Sequence, residues 1–187
     1  MKFINAILSI VLSLLVVSSN AQQTDPWTNY MMPSEIHKSL EKYAGDFAME
    51  ITMWMMEGAE PVVINVTSEN KMILGGRFLE MTQTGDMMGM AYHAISVLGY
   101  NNSDKNYNLT TVTNMGTGTL YVSGSYDTKS NSVQLRGNLS NPMNGKIIEV
   151  RQSLQMIDDD TLLIENFDME SGSEERKTIA YKFTRVK

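Results

Sequence analysis

Few side chains in this sequence could carry acid–base or metal chemistry. There are two histidines, His37 and His93, and no cysteine. A Ser/His/Asp set, or a zinc held by histidines, needs such groups at convergent positions. Neither H-E-x-x-H nor G-x-S-x-G occurs. Without cysteine there is no thiol nucleophile, no thiolate metal site, no disulfide framework and no lipidated N-terminal Cys. Asp158-Asp159-Asp160 lacks the alternating ligands and the glycine of a calcium loop and reads as a solvated turn. Gly116-Thr117-Gly118 is followed by neither Lys nor a helical pattern, so it is no phosphate cradle. No metal and no cofactor is expected.

Methionine, arginine and tyrosine remain. Methionine occurs 16 times. Met49, Met53 and Met55 share a parity, and Met87, Met88 and Met90 cluster. Flexible, polarizable thioethers suit either core filling or an adaptable pocket wall. Three on alternate strand positions are roughly 7 Å apart in steps, too far to chelate one soft ion without other strands. Arg77 shares parity with Leu79 and Met81; if those face inward, so does Arg77. A buried guanidinium needs a carboxylate or a ligand anion. An internal ion pair, simple exposure and a head-group anchor are its three readings. Tyr92 and Tyr100 share parity with Ala94, Ser96 and Leu98, and their hydroxyls could orient a ligand.

The elements that must position these groups are read from periodicity. Lys2, the apolar run Ile4–Val17 and Ser19-Asn20-Ala21 form a secretory signal peptide cut after Ala21. The mature chain is then exported, periplasmic or secreted, with no transmembrane segment. Residues 22–33 lack a period and read as a linker. Ser34 can cap a helix over Glu35–Tyr43, where Ile36, Leu40 and Tyr43 make one apolar stripe and His37, Lys38 and Glu41 take the other faces.

From Gly45 onward the period becomes two. Phe47, Met49, Ile51, Met53 and Met55 alternate with Ala48, Glu50, Thr52, Trp54 and Met56. Val62, Ile64 and Val66 begin the next run. Gly75–Asn102 reads as a hairpin, Arg77–Gln83 and Met90–Leu98 flanking a turn at Thr84–Gly89. Six further extended runs follow, giving about ten strands in all. Short connections force antiparallel neighbours, and a meander this wide tends to curl and close. The predicted fold is an all-β, up-and-down antiparallel barrel over 34–187 with one short N-terminal helix. Its interior holds side chains or one small ligand.

Several motifs together resemble a bacterial family known as domain of unknown function fifteen seventy-nine. They are GGRFLE at Gly75–Glu80, MMGMAYHAISVLGY at Met87–Tyr100, NMGTG at Asn114–Gly118, GSYD at Gly124–Asp127, NPMNGK at Asn141–Lys146 and YKFTR at Tyr181–Arg185. The resemblance spans nearly all of His37–Lys187 and implies a lipocalin-like barrel, with no activity, cofactor or catalytic residue attached. A looser likeness to the calycins places Gly45-Asp46-Phe47 where lipocalins have Gly-x-Trp. It implies that Arg185 packs across the Phe47 ring at the barrel floor. Haem-binding relatives of the calycins use a His late in the chain, and none follows His93.

Formal net charge is −6, which disfavours nucleic acid and anionic membrane surfaces. The favoured reading is a binding module for a small apolar or amphipathic ligand. Its candidate pocket is lined by Met49, Ile51, Met53, Val62, Ile64, Arg77, Leu79, Met81 and Tyr92. One alternative is an enzyme whose Arg77, Tyr92 and Glu80 or His93 converge in the same cavity. The other is an envelope interaction protein whose barrel is filled solid.

Overall fold

The computed structural model describes residues 25–170 and 172–187. The predicted signal peptide lies outside them. The chain divides into two compact units, one ending at Met31 and one spanning Met32–Lys187. In the first, helix α1 occupies Pro26–Met31. Asp25 Oδ2 accepts the Thr28 backbone N–H at 3.2 Å, and proline suits the first helical position. This stretch was expected to be a linker; six residues are too few to display a helical period.

The second unit is helix α2 (Glu35–Glu41) followed by ten strands. They are β1 (Gly45–Met53), β2 (Val62–Ile73), β3 (Phe78–Met87), β4 (Met90–Tyr100), β5 (Tyr107–Thr113), β6 (Thr119–Asp127), β7 (Ser132–Ser140), β8 (Ile147–Asp158), β9 (Thr161–Glu170) and β10 (Arg176–Arg185). Each strand pairs antiparallel with its sequence neighbours, and β1 pairs with β10 from Phe47↔Arg185 to Met53↔Ile179. The sheet is therefore a closed barrel, as the alternation predicted. The central hairpin is tighter than expected. Its turn is only Met88-Gly89, both at positive φ, and Asp86 Oδ1 accepts the Gly89 N–H at 2.7 Å. Positive φ at both central residues matches strand twist, so pairing runs on through Gly85 and Asp86.

One end of the barrel is closed by α2 and the chain's last residues. Leu40 and Tyr43 are buried there, and the Tyr43 hydroxyl donates to the Asp158 carbonyl at 2.8 Å. Arg185 binds the whole floor together. Its guanidinium lies 4.6 Å from the Phe47 ring centroid. It donates to the Asp160 carboxylate at 2.9 Å, to the Ala44 carbonyl at 2.8 Å and to the Lys42 carbonyl. Gly45 sits beneath it at φ 118°, and a Cβ there would stand 2.9 Å from Arg185 Nη1. Both facts require glycine.

His37 departs from its expected exposed face: it is buried, while Lys38 and Glu41 are exposed. Its Nδ1 accepts the Ser34 backbone N–H at 3.0 Å and meets Ser34 Oγ at 3.0 Å. The ring packs edge-on against Tyr100. A nitrogen that accepts an N–H carries no proton, so this cap works only with neutral imidazole. Burial lowers its pKa below the ordinary histidine value, against a hydrogen bond to the Tyr100 backbone that raises it.

Two predictions follow from the floor. Arg185→Ala lowers stability by roughly 2–4 kcal/mol in urea unfolding, because it strips a cation–π contact and orphans several acceptors. A change below about 0.5 kcal/mol would refute the clamp. For His37 the folded pKa lies below the unfolded one. Its contribution is complete above the unfolded pKa near 6.5 and is lost as pH falls through the folded value. His37→Gln keeps an acceptor at this cap position but cannot titrate. The wild-type loss of stability as pH falls below the ordinary histidine pKa therefore flattens in the variant.

Candidate functional site

Inside the barrel the inward parity is mostly apolar and well packed. A small cavity of about 50 Å³ remains, bounded by Met49, Tyr92, Ile164, Tyr181 and Phe183 on its apolar side. Gln83, Ser96, Thr111 and Gln152 supply its polar wall. That volume accommodates a few waters, well short of the roughly 300–1,000 Å³ of ordinary small-molecule sites. Ser96 and Thr111 hydroxyls meet at 2.9 Å, and Gln83 Nε2 donates to the Met81 carbonyl at 3.2 Å. Burial raises the Tyr181 pKa first, with Tyr92 and Asp168 adding to it; both phenols stay neutral donors.

A chain of amides links this cavity to the open end. Asn166 Nδ2 donates to Asp168 Oδ1 at 2.7 Å and to Thr178 Oγ1 at 3.0 Å. The Asn166 carbonyl oxygen must then face Gln152, whose Nε2 donates to it at 3.1 Å. That fixes Gln152 with Oε1 outward from the chain, buried and without a partner among the described residues. One carboxylate thus orients two amides in succession.

Asp168 itself lies in a larger pocket at the mouth, the end opposite α2. This pocket holds about 730 Å³ between the β1–β2 and β9–β10 connections. Trp54, Met56 and Ile148 give it apolar walls; Glu57, Asp168, Glu170, Glu174, Glu175, Arg176 and Lys177 give it charge. Trp54 is held from both sides of the strand end. Its backbone N–H donates to the Thr178 carbonyl at 2.9 Å, and Lys177 Nζ lies 4.7 Å from the ring centroid. Lys177 also pairs with Glu165. Glu175 is gripped by Arg151 through two hydrogen bonds of 2.9 and 2.7 Å. Burial raises the Asp168 pKa, opposed by the Thr178 and Asn166 hydrogen bonds and then by Arg176.

Over residues 32–185 the chain matches the family described as Protein of unknown function (DUF1579). The chain belongs to this family. No curated protein matches it. Of the stretches that carry the sequence resemblance, YKFTR supplies Tyr181, Phe183 and the clamp residue Arg185, and GGRFLE leads into β3.

The residues singled out from the DUF1579 sequence separate in space. Met49 and Tyr92 line the small cavity. Ile51, Met53, Leu79 and Met81 are buried in the core, with Val62 and Ile64 packed half-buried against it. Arg77 does not follow its parity partners inward. β3 begins one residue later, and the guanidinium folds back on the preceding turn, donating to the Leu74 carbonyl at 3.0 Å. The residues of the enzyme alternative do not converge: Tyr92 is inside, His93 is exposed, and Glu80 pairs with Lys71 at 2.9 Å across β2 and β3. Trp54, Gln152, Asn166 and Asp168 were not anticipated as site residues. The available signal was parity: Gln152 shares a face with Val150 and Leu154, and Asn166 and Asp168 share one with Ile164.

The methionines occupy several environments, and Met32 is exposed near the β4–β5 turn at the α2 end, where its carbonyl accepts the Asn102 amide. Met49, Met53 and Met81 are core residues. Met55, expected beside them, lies beyond the end of β1 and is exposed. Met55, Met56, Met88, Met90, Met115 and Met143 are all exposed at the mouth end, spread over the first four of its connections.

A buried carboxylate held by neutral donors costs stability when ionised. For Asp168 the folded pKa is raised, so that cost is present above the folded pKa and absent below the unfolded one. Asp168→Asn is therefore expected to raise the urea midpoint at pH 7.5, with the gain shrinking as pH falls into the carboxylate range. A midpoint lowered equally at all pH values would show that the charge is compensated.

Proposed function

We propose that this domain is an exported binding module for a small amphipathic molecule seated at the barrel mouth. The observation that carries the reading is the 730 Å³ pocket beside Trp54, which falls in the size range of small-molecule sites while the interior cavity does not. Apolar area on Trp54, Met56 and Ile148 drives binding at about 25 cal/mol per Å² removed from water. Charged groups on the β9–β10 side set orientation. Export is supported by the apolar N-terminal run and its small-residue cleavage site. No helix among the described residues is long and apolar enough to cross a membrane.

A second reading, an interaction protein that works through its surface, draws on the exposed methionines of the same end. The two separate by experiment. In a Trp27→Phe chain, Trp54 is the only tryptophan. Titration with N-phenyl-1-naphthylamine should quench Trp54 emission saturably, and Trp54→Ala should weaken probe binding about tenfold, as loss of an aromatic anchor does. Native mass spectra that carry no small molecule, together with a silent titration, would leave only the surface reading.

A further inference from the structure

Charge in the mouth pocket is lopsided, and part of it is already spoken for. Five carboxylates line it against Arg176 and Lys177. Lys177 is committed to Glu165 and to the Trp54 ring. Glu175 is committed to Arg151, and Glu170 accepts the Asn141 amide at 2.6 Å. Asp168 differs from these. It is half-buried, and its hydrogen-bonded partners are the neutral groups Asn166 and Thr178. The cation nearest in register, Arg176, is exposed and is the weakest of the influences on it. The pocket thus presents a partly desolvated carboxylate that forms no ion pair among the described residues, with Arg176 across the strand pair as its neighbouring cation, and the amide chain behind it fixes it in place.

We infer that the mouth pocket takes a cationic amphiphile, its ammonium or guanidinium head against Asp168 and its apolar part against Trp54, Met56 and Ile148. This rests on the binding reading above and names the ligand class. An anionic head would enter a half-desolvated site already rich in carboxylates, and a neutral head would leave Asp168 without an ion pair. A cation supplies that pair, and the neighbouring indole already holds one cation over its face. The apolar part of the ligand continues onto an end of the barrel that carries exposed thioethers, which adapt to chains of different length.

Three probes with the same tail test the head group: decyltrimethylammonium, decyl maltoside and decyl sulfate, each below its micelle concentration, titrated into the mature chain by calorimetry. The cationic probe should bind about tenfold more tightly than the sulfate, with the maltoside between. Asp168→Asn should narrow that spread to about threefold or less, and added salt should narrow it in the wild type. Equal affinities for all three, or a preference for decyl sulfate, would overturn the inference while leaving a binding pocket in place. If none of the three binds and N-phenyl-1-naphthylamine is also silent, the binding reading fails and this one with it.

Discussion

Pairing between the first and last strands is the constraint on which this structure depends. β1 and β10 meet over Phe47–Met53 and Ile179–Arg185, and nothing else turns ten consecutive hairpin-linked strands into a ring. An open meander would leave two edges with unpaired backbone groups. Closure removes them and gives every strand an inward face. Arg185 sits where the ring joins, so the same side chain fastens β1, the β8–β9 turn and the segment after α2. The two ends of the barrel then have different characters. The floor is sealed by a helix, a capped imidazole and a guanidinium; the mouth is left to its loops.

The interior shows how a closed barrel handles polar groups it cannot expel. Apart from Asp168 near the mouth, inward strand positions that are not apolar include hydroxyls and amides that find partners on adjacent strands. Their order has a direction: Asp168 at the mouth fixes Asn166, which fixes Gln152, a residue of the cavity wall whose Oε1 has no partner among the described residues. A polar network of this kind constrains rotamers more than it adds net stability. It also ends on a carboxylate at the mouth pocket, beside the Trp54 wall.

Much of the architecture was legible because a two-residue period survives any tertiary context. Alternation at Phe47–Met53 and Ile148–Met156 named the strands and their inner faces, and short connections fixed antiparallel order. The helix was legible from Ile36, Leu40 and Tyr43, yet His37 was misplaced on it because capping, not amphipathicity, put it inside. Arg77 failed for the opposite reason: parity was extended one residue past where pairing starts. The mouth pocket was the least legible part. Its walls come from the ends of β8, β9 and β10 and from the β1–β2 loop, which are far apart in sequence and have no shared period. Only inward-parity polar residues such as Asn166 and Asp168 pointed to it.

The uneven placement of sulfur has a redox consequence. With no cysteine to react first, an oxidant meeting this protein encounters thioethers, and those at Met55, Met56, Met88, Met90, Met115 and Met143 stand in solvent at a single end. Conversion to sulfoxide makes each one polar and chiral. Met49 and Met81, at 2% and 0% exposure, are shielded by the wall of the ring. Apart from Met31 and Met32, which are also exposed, peroxide would therefore rewrite chiefly the surface of the mouth while sparing the packing beneath it, and a reductase would reverse the change.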